Sequence, residues 1–85
     1  METRGKVYSS NPPRGRVAVK TVDGFTIIDV KDQMDFHLGD DVRWASGTET
    51  GSQTIRNVSK GTDVAVVVLN HWVAAGQLRE QLLLD

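Results

Sequence analysis

The sequence RVAVKTVDGFTIIDV, residues 16–30, carries the strongest structural signal in the chain. Asp23-Gly24 lies between two runs of β-branched residues, and this dipeptide suits a tight hairpin turn that requires positive φ. Before the turn, valine alternates with other residues over 16–20, which is typical of a half-buried strand. After it we expect a returning strand from Phe25 to about Lys31. This stretch therefore predicts an antiparallel β-hairpin, and the rest of the chain can be interpreted outward from it.

Similar signals predict further short strands on both sides of the hairpin. The segment Asn11-Pro12-Pro13-Arg14-Gly15 breaks the chain before it, because prolines cannot donate to a strand ladder and Gly15 can adopt positive φ. Four valines within Val64–Leu69 favour a strand over a helix. The expected strands are 6–9, 16–20, 25–31, 42–44, 53–58 and 64–69.

The C-terminal residues change character. Ala75, Leu78 and Leu82 fall at helical spacing, and good helix formers lie between them. We therefore expect a short helix from about Ala74 to Leu83.

Composition limits the classes of function. The chain has 85 residues, enough for one domain. It has no cysteine, which excludes disulfides, thiolate metal ligands and cysteine nucleophiles. The sequence does not pair a nucleophilic side chain with a general base, and it has no glycine-rich loop that leads into a helix and could hold a phosphate. We therefore expect no enzyme activity and no cofactor. His37 and His71 are far apart in sequence without a third donor, so no metal site is expected.

No segment predicts membrane insertion or export. The N-terminus has no apolar run behind it, and the longest apolar stretch, Val64–Leu69, is far too short to span a bilayer. A soluble cytoplasmic protein without a membrane partner is the expectation.

Charge is unevenly distributed along the chain. Residues 1–20 contain five basic residues and a single acid, whereas residues 21–50 contain seven acids and two basic residues. The basic end is suited to phosphates and the acidic middle would repel them. The formal net charge of −1 gives no support for strong non-specific binding to nucleic acid.

Several short motifs follow one another along the first two thirds of the chain. They are Gly5-Lys6-Val7, Asn11-Pro12, Arg14-Gly15, Asp23-Gly24, Leu38-Gly39-Asp40-Asp41-Val42-Arg43-Trp44, Gly51-Ser52-Gln53 and Asn57-Val58-Ser59-Lys60. In their order and spacing, over about residues 5–60, the chain resembles the cold-shock domain family. The resemblance implies one domain over 1–85, an all-β, five-stranded antiparallel barrel of the oligonucleotide-binding (OB) type. The C-terminal extension, 61–85, would add a strand and a short terminal helix.

The resemblance also implies a function, the binding of single-stranded RNA or DNA through a basic sheet face. Alternating residues on neighbouring strands point to the same face of a sheet, which would place the basic side chains of residues 1–20 together. The expected nucleic-acid-binding residues are Lys6, Tyr8, Asn11, Arg14, Arg16 and Lys20.

Most of the aromatic side chains that stack on bases in that family are replaced here. The corresponding positions hold Ser9, Arg16 and Ala18, and about Ile27 and Asp29. Each stacked base is worth roughly 1–3 kcal/mol, so the loss of several rings would weaken binding by several kcal/mol. A protein-interaction or structural module that kept the barrel and lost nucleic-acid binding is therefore the alternative.

The alternative function would use the C-terminal extension. Trp44 alternates with Val42 and is expected in the core, whereas Trp72 either covers the open end of the barrel or contacts a partner or a base. The leucines either pack on the barrel's own core or form a surface for a partner or for self-association. The residues of that candidate surface are Trp72, Leu78, Leu82, Leu83 and Leu84.

Overall fold

The computed structural model describes residues 2–30, 36–45 and 50–83. In this part of the chain the protein forms six β-strands. In chain order the strands are β1 (Glu2–Asn11), β2 (Arg16–Thr21), β3 (Gly24–Val30), β4 (Asp41–Ala45), β5 (Gly51–Asn57) and β6 (Thr62–Val73). Every strand pairs antiparallel with two neighbours, and the sheet closes into a barrel in the order β1-β2-β3-β6-β5-β4. The predicted all-β antiparallel barrel is confirmed.

The sixth strand is an integral part of the barrel. β6 pairs with β5 over residues 62–68 and with β3 over residues 66–73. Without it, β3 and β5 would each present an open edge of unpaired backbone groups. The expected count of five barrel strands with one added strand is thus corrected to six barrel strands. The strand predicted over Val64–Leu69 continues to Val73 because its last residues pair with the start of β3.

The interior of the barrel follows from the alternation of side chains along each strand. The β2–β3 turn occurs at Asp23-Gly24 as predicted, with Gly24 at φ 123°. Trp44 lies in the core with 3% of its surface exposed, also as predicted. The buried core cluster is Val7, Val17, Val19, Ile28, Val30, Phe36, Val42, Trp44, Ile55, Val64, Val66 and Val68.

A second apolar cluster lies on the outside of the barrel. The outward side chains of Ala18, Phe25 and Ile27, on β2 and β3, are buried beneath Leu78 and Leu82 of the C-terminal segment. This segment therefore extends the core across one outer face of the sheet.

The C-terminal segment contains less helix than the sequence predicts. A 3₁₀ turn (Ala75–Gln77) precedes a single turn of α-helix, α1 (Leu78–Gln81). The expected helix over Ala74–Leu83 is corrected, because Gly76 weakens helix at its start and neither element has a side-chain N-cap. At the other end, Leu83 adopts φ 60°, a left-handed conformation that ends the helix.

A buried polar network joins two connections at one end of the barrel. The Asn57 side chain is fully buried; its Nδ2 donates to Asp40 Oδ2 at 2.9 Å, and its Oδ1 accepts from the Lys60 backbone N–H at 3.1 Å. Asp40 Oδ2 also accepts from the His37 backbone N–H at 2.9 Å. The link between β3 and β4 is thereby fixed to the turn between β5 and β6.

We predict that this network makes stability depend on pH. Partial burial disfavours the charged form of Asp40, but the hydrogen bonds from Asn57 and His37 and the nearby positive charge of Lys60 outweigh it and hold the pKa of Asp40 below its ordinary value. The carboxylate therefore stabilises the fold above the unfolded-state pKa of about 4, and this stabilisation is lost as pH falls through the folded-state pKa.

Urea unfolding measured from pH 7 down to about pH 2 tests this effect. The free energy of unfolding should fall more steeply in the wild type than in Asp40→Asn. The matched control is Asp23→Asn, in the exposed β2–β3 turn, which should retain the wild-type profile. Identical profiles for all three proteins would contradict the prediction.

Candidate nucleic-acid interface

The structure separates the six predicted contact residues. Lys6 and Lys20 lie directly opposite each other on β1 and β2 with exposed side chains, and Tyr8 lies nearby on β1. Arg14 is exposed in the 3₁₀ turn (Pro12–Arg14) that connects these strands at the far end of the barrel. Asn11 and Arg16 face the C-terminal segment.

Asn11 and Arg16 hold the end of the C-terminal segment. Asn11 Nδ2 donates to the Leu82 carbonyl at 2.7 Å, and Arg16 Nη1 donates to the Gln81 carbonyl at 3.0 Å. The last carbonyls of a helix have no partner within the helix, so donors from elsewhere satisfy them. In this conformation both side chains stabilise the protein's own fold.

The segment covers the sheet face to which the resemblance assigned the base-stacking positions. Ala18 and Ile27 correspond to two of those positions, and both are fully buried under the segment. Base contact at Ala18 and Ile27 is incompatible with this arrangement, because a ligand would first have to displace Leu78 and Leu82.

The sequence leaves open whether the C-terminal leucines pack on the barrel or form a surface for a partner, and the structure differs from one leucine to the next. Leu78 and Leu82 are buried against the barrel, so they are not available as a partner surface. Leu83 is 44% exposed, and Leu84 lies outside the described residues. Trp72 does not cover the barrel end closely, since 61% of its surface is exposed.

Strand register creates a basic surface that the sequence pattern did not reveal. Arg4 on β1 lies opposite Arg43 on β4, and Arg43 lies opposite Arg56 on β5. Beside this row of arginines, Lys6 and Lys20 form a second row across β1 and β2. We call this outer surface, formed by Lys20, Lys6, Arg4, Arg43 and Arg56, the cationic face.

The sequence pattern contains only part of the information that places Arg43 on the cationic face. Alternation on β4 places Arg43 on the side opposite the buried Val42 and Trp44. The sequence could not show that β4 pairs with β1, because that pairing joins residues about forty positions apart. Arg43 therefore stood within the acidic part of the sequence, although it lies beside Arg4 in the fold.

Carboxylates lie beside the cationic face. Lys6 Nζ lies 3.4 Å from Asp41 Oδ1, and Arg56 Nη1 lies 3.4 Å from Asp63 Oδ1. All four side chains are at least 41% exposed, and ion pairs this exposed contribute little to stability. A phosphate group can therefore replace either carboxylate at low cost. A shallow groove of about 360 Å³ beside Arg4 and Arg43 gives room for such a group.

Tyr8 supplies an aromatic ring next to the lysines. It lies at an irregularity in the β1–β2 pairing, between Val7 and Ser9. Its ring packs edge-on against Phe25, with centroids 4.9 Å apart and an angle of 61° between the planes. This contact supports one side of the ring, while 53% of the residue stays exposed.

Among residues 2–30, 36–45 and 50–83, no group of three His, Asp or Glu side chains is arranged to hold a metal ion. Nor does any helix in these ranges have the length and apolar character needed to cross a membrane.

We predict that docking of the C-terminal segment depends on Leu82. Leu82→Ala removes a fully buried side chain and should lower the free energy of unfolding by about 2–5 kcal/mol. The neighbouring exposed Leu83→Ala is the matched control and should change it by less than about 0.5 kcal/mol. Urea denaturation measures both, and equally small effects would show that the segment is not docked in solution.

Comparisons with protein-family models, with curated proteins and with solved structures found no match to this chain.

Proposed function

We propose that this protein binds single-stranded RNA or DNA, with the cationic face in contact with the phosphate backbone. The observation that carries the proposal is the strand register, which gathers basic side chains from four adjacent strands onto one outer surface. Neighbouring strands lie about 4.8 Å apart, so these cations form a continuous path across the sheet.

The arginine row supports a polyanionic ligand. Like charges directly opposite one another destabilise a β-sheet. Arg4, Arg43 and Arg56 are aligned in this way, and a bound phosphate backbone would add negative charge along the whole row. Arginine also suits this role because its planar guanidinium can donate two parallel hydrogen bonds to a phosphate.

The exposed ring of Tyr8 supports an unpaired strand as the ligand. An aromatic side chain on a sheet can stack only on a base whose face is accessible, as in single strands, loops and ends. Tyr8 lies two residues from Lys6 on the same side of β1, and its ring is already supported by Phe25. Because Phe25 already restricts the Tyr8 ring, binding of a base would require little further ordering of that side chain.

The resemblance to cold-shock domains points to the same class of ligand. We propose that the chain is a divergent barrel of the OB type whose binding surface has moved away from the covered part of β2 and β3. The C-terminal segment packs over Ala18, Phe25 and Ile27 on these strands and leaves the residues of the cationic face, including Lys20 on β2, accessible. The proposed role is binding rather than catalysis, in the cytoplasm.

We predict that Arg43→Gln and Lys20→Gln each weaken binding several-fold. Each removes one phosphate contact, so the dependence of affinity on salt should also decrease, by about 0.7 in the slope of log K against log salt. Fluorescence anisotropy of labelled oligo-dT and oligo-U of about 16 nucleotides, titrated at several salt concentrations, measures both quantities.

Arg14→Gln is the matched control for this experiment. It removes the same unit of charge from an exposed arginine at the far end of the barrel. It should leave affinity close to that of the wild type. Equal losses for all three variants would mean that total charge, and not the cationic face, governs binding. Absence of binding at high micromolar concentration and low salt would refute the proposed function.

A further inference from the structure

The two tryptophans of this chain have opposite environments. Trp44 lies in the barrel core, whereas Trp72, near the end of β6, is 61% exposed. A single exposed apolar residue is common on protein surfaces and needs no explanation by itself. Trp72 differs because its backbone is also unusual.

Trp72 adopts a left-handed backbone conformation, with φ 55°. Such values are uncommon outside glycine and are unfavourable for a bulky side chain. They persist where the surrounding structure imposes them, and they are concentrated at functional sites. The conformation therefore calls for an explanation beyond ordinary strand geometry.

The surrounding strands impose this conformation through a β-bulge. Phe25 pairs with Val73 and Ile27 pairs with Asn70, so one residue on β3 faces two residues, His71 and Trp72, on β6. Bulges of this kind redirect side chains and are frequent at the rims of barrels. A Cβ atom on Gly24 would lie 3.3 Å from the Trp72 Cα, tighter than most such contacts. The glycine of the β2–β3 turn thus gives the bulge room.

Packing does not account for the position of Trp72. Its aromatic neighbour is His71, whose ring centroid is 6.0 Å away at a tilt of 48°. The His71 ring is itself held by a hydrogen bond between Nδ1 and Thr26 Oγ1, at 3.0 Å. Most of the surface of Trp72 nevertheless faces solvent, so burial cannot offset the unfavourable backbone conformation.

Trp72 lies at the end of the lysine row of the cationic face. Lys6 pairs with Lys20, Lys20 with Phe25, and Phe25 with Val73, the residue next to Trp72. Tyr8 contacts Phe25 from β1. Tyr8 and Trp72 therefore lie on opposite sides of Phe25. Their strands, β1 and β6, are separated by three interstrand spacings, or roughly 14 Å.

We propose that Trp72 is a second stacking platform, which binds an unpaired base of the same nucleic-acid strand that contacts Lys6, Lys20 and Tyr8. The bulge and Gly24 direct the indole toward solvent, and the lysine row leads the phosphate backbone to it. This inference rests on the proposed function, because it assigns a further contact to the same ligand.

Nuclear magnetic resonance of the ¹⁵N-labelled chain tests the contact directly. The chain contains two tryptophans and so has two indole N–H signals, which the spectrum of Trp72→Phe assigns. On titration with oligo-dT or oligo-U, the Trp72 signal should shift or broaden, while the signal of the buried Trp44 should remain in place.

Substitutions at Trp72 separate a binding role from a structural role. Trp72→Ala should weaken oligonucleotide binding by about 5- to 150-fold, the range for loss of one stacked base. Trp72→Phe should recover most of the affinity. Trp72→Gly should bind as weakly as Trp72→Ala but melt at a higher temperature than that variant, since glycine adopts positive φ readily. The matched control, Val22→Ala, changes another exposed apolar residue at the same end of the barrel and should bind as the wild type does.

The possible failures are distinguishable. If labelled oligonucleotide binds while Trp72→Ala retains wild-type affinity and the Trp72 signal stays in place, the inference is overturned and the proposed function stands. If anisotropy detects no binding at all, the proposed function and the inference fail together. If the Trp72 signal moves only when protein concentration is raised without oligonucleotide, Trp72 is a self-association contact and the inference is also wrong.

Discussion

The pairing of β6 along both of its edges is the constraint on which the rest of this structure depends. It satisfies the backbone donors and acceptors of β3 and β5 at once, and it places Val64, Val66 and Val68 in the core. Among the strands that the structure describes, closure leaves no open edge and gives each strand one inward face and one outward face. The cationic face exists because closure of the barrel also brings β4 against β1.

Local features of the fold could be predicted from the sequence, because they depend on neighbouring residues. Asp23-Gly24 identified the β2–β3 turn, and alternation with Val42 placed Trp44 in the core. Prediction failed where a residue's environment depends on a distant segment. Ala18 alternates as an outward residue, as expected, yet it is buried because the C-terminal segment packs over it. Arg43 joins Arg4 only through a pairing that no local pattern encodes.

The same physical reason explains the outcome for the predicted binding residues. Arginine and asparagine side chains donate hydrogen bonds to phosphate oxygens and to backbone carbonyls alike. Arg16 and Asn11 were candidates for the first partner, and the fold gives them the second, at the end of α1. Lys6, Lys20 and Tyr8 keep their exposure because no segment of the described chain packs over them. A basic residue in a sequence identifies a donor, and only the fold identifies the acceptor.

The late position of β6 in the chain has a consequence for biosynthesis. A ribosome adds residues from the N-terminus, at about 5–20 residues per second, so β1 to β5 emerge before the strand that joins β3 to β5. Until residues 62–73 are available, both of these strands have open edges, and Ala18, Phe25 and Ile27 lack their cover. Contacts such as the one between Asn11 and Leu82, 71 residues apart, can form only after that stage. The nascent chain therefore exposes unpaired strand edges and apolar side chains during this interval, which favours aggregation over folding until the last strand is made.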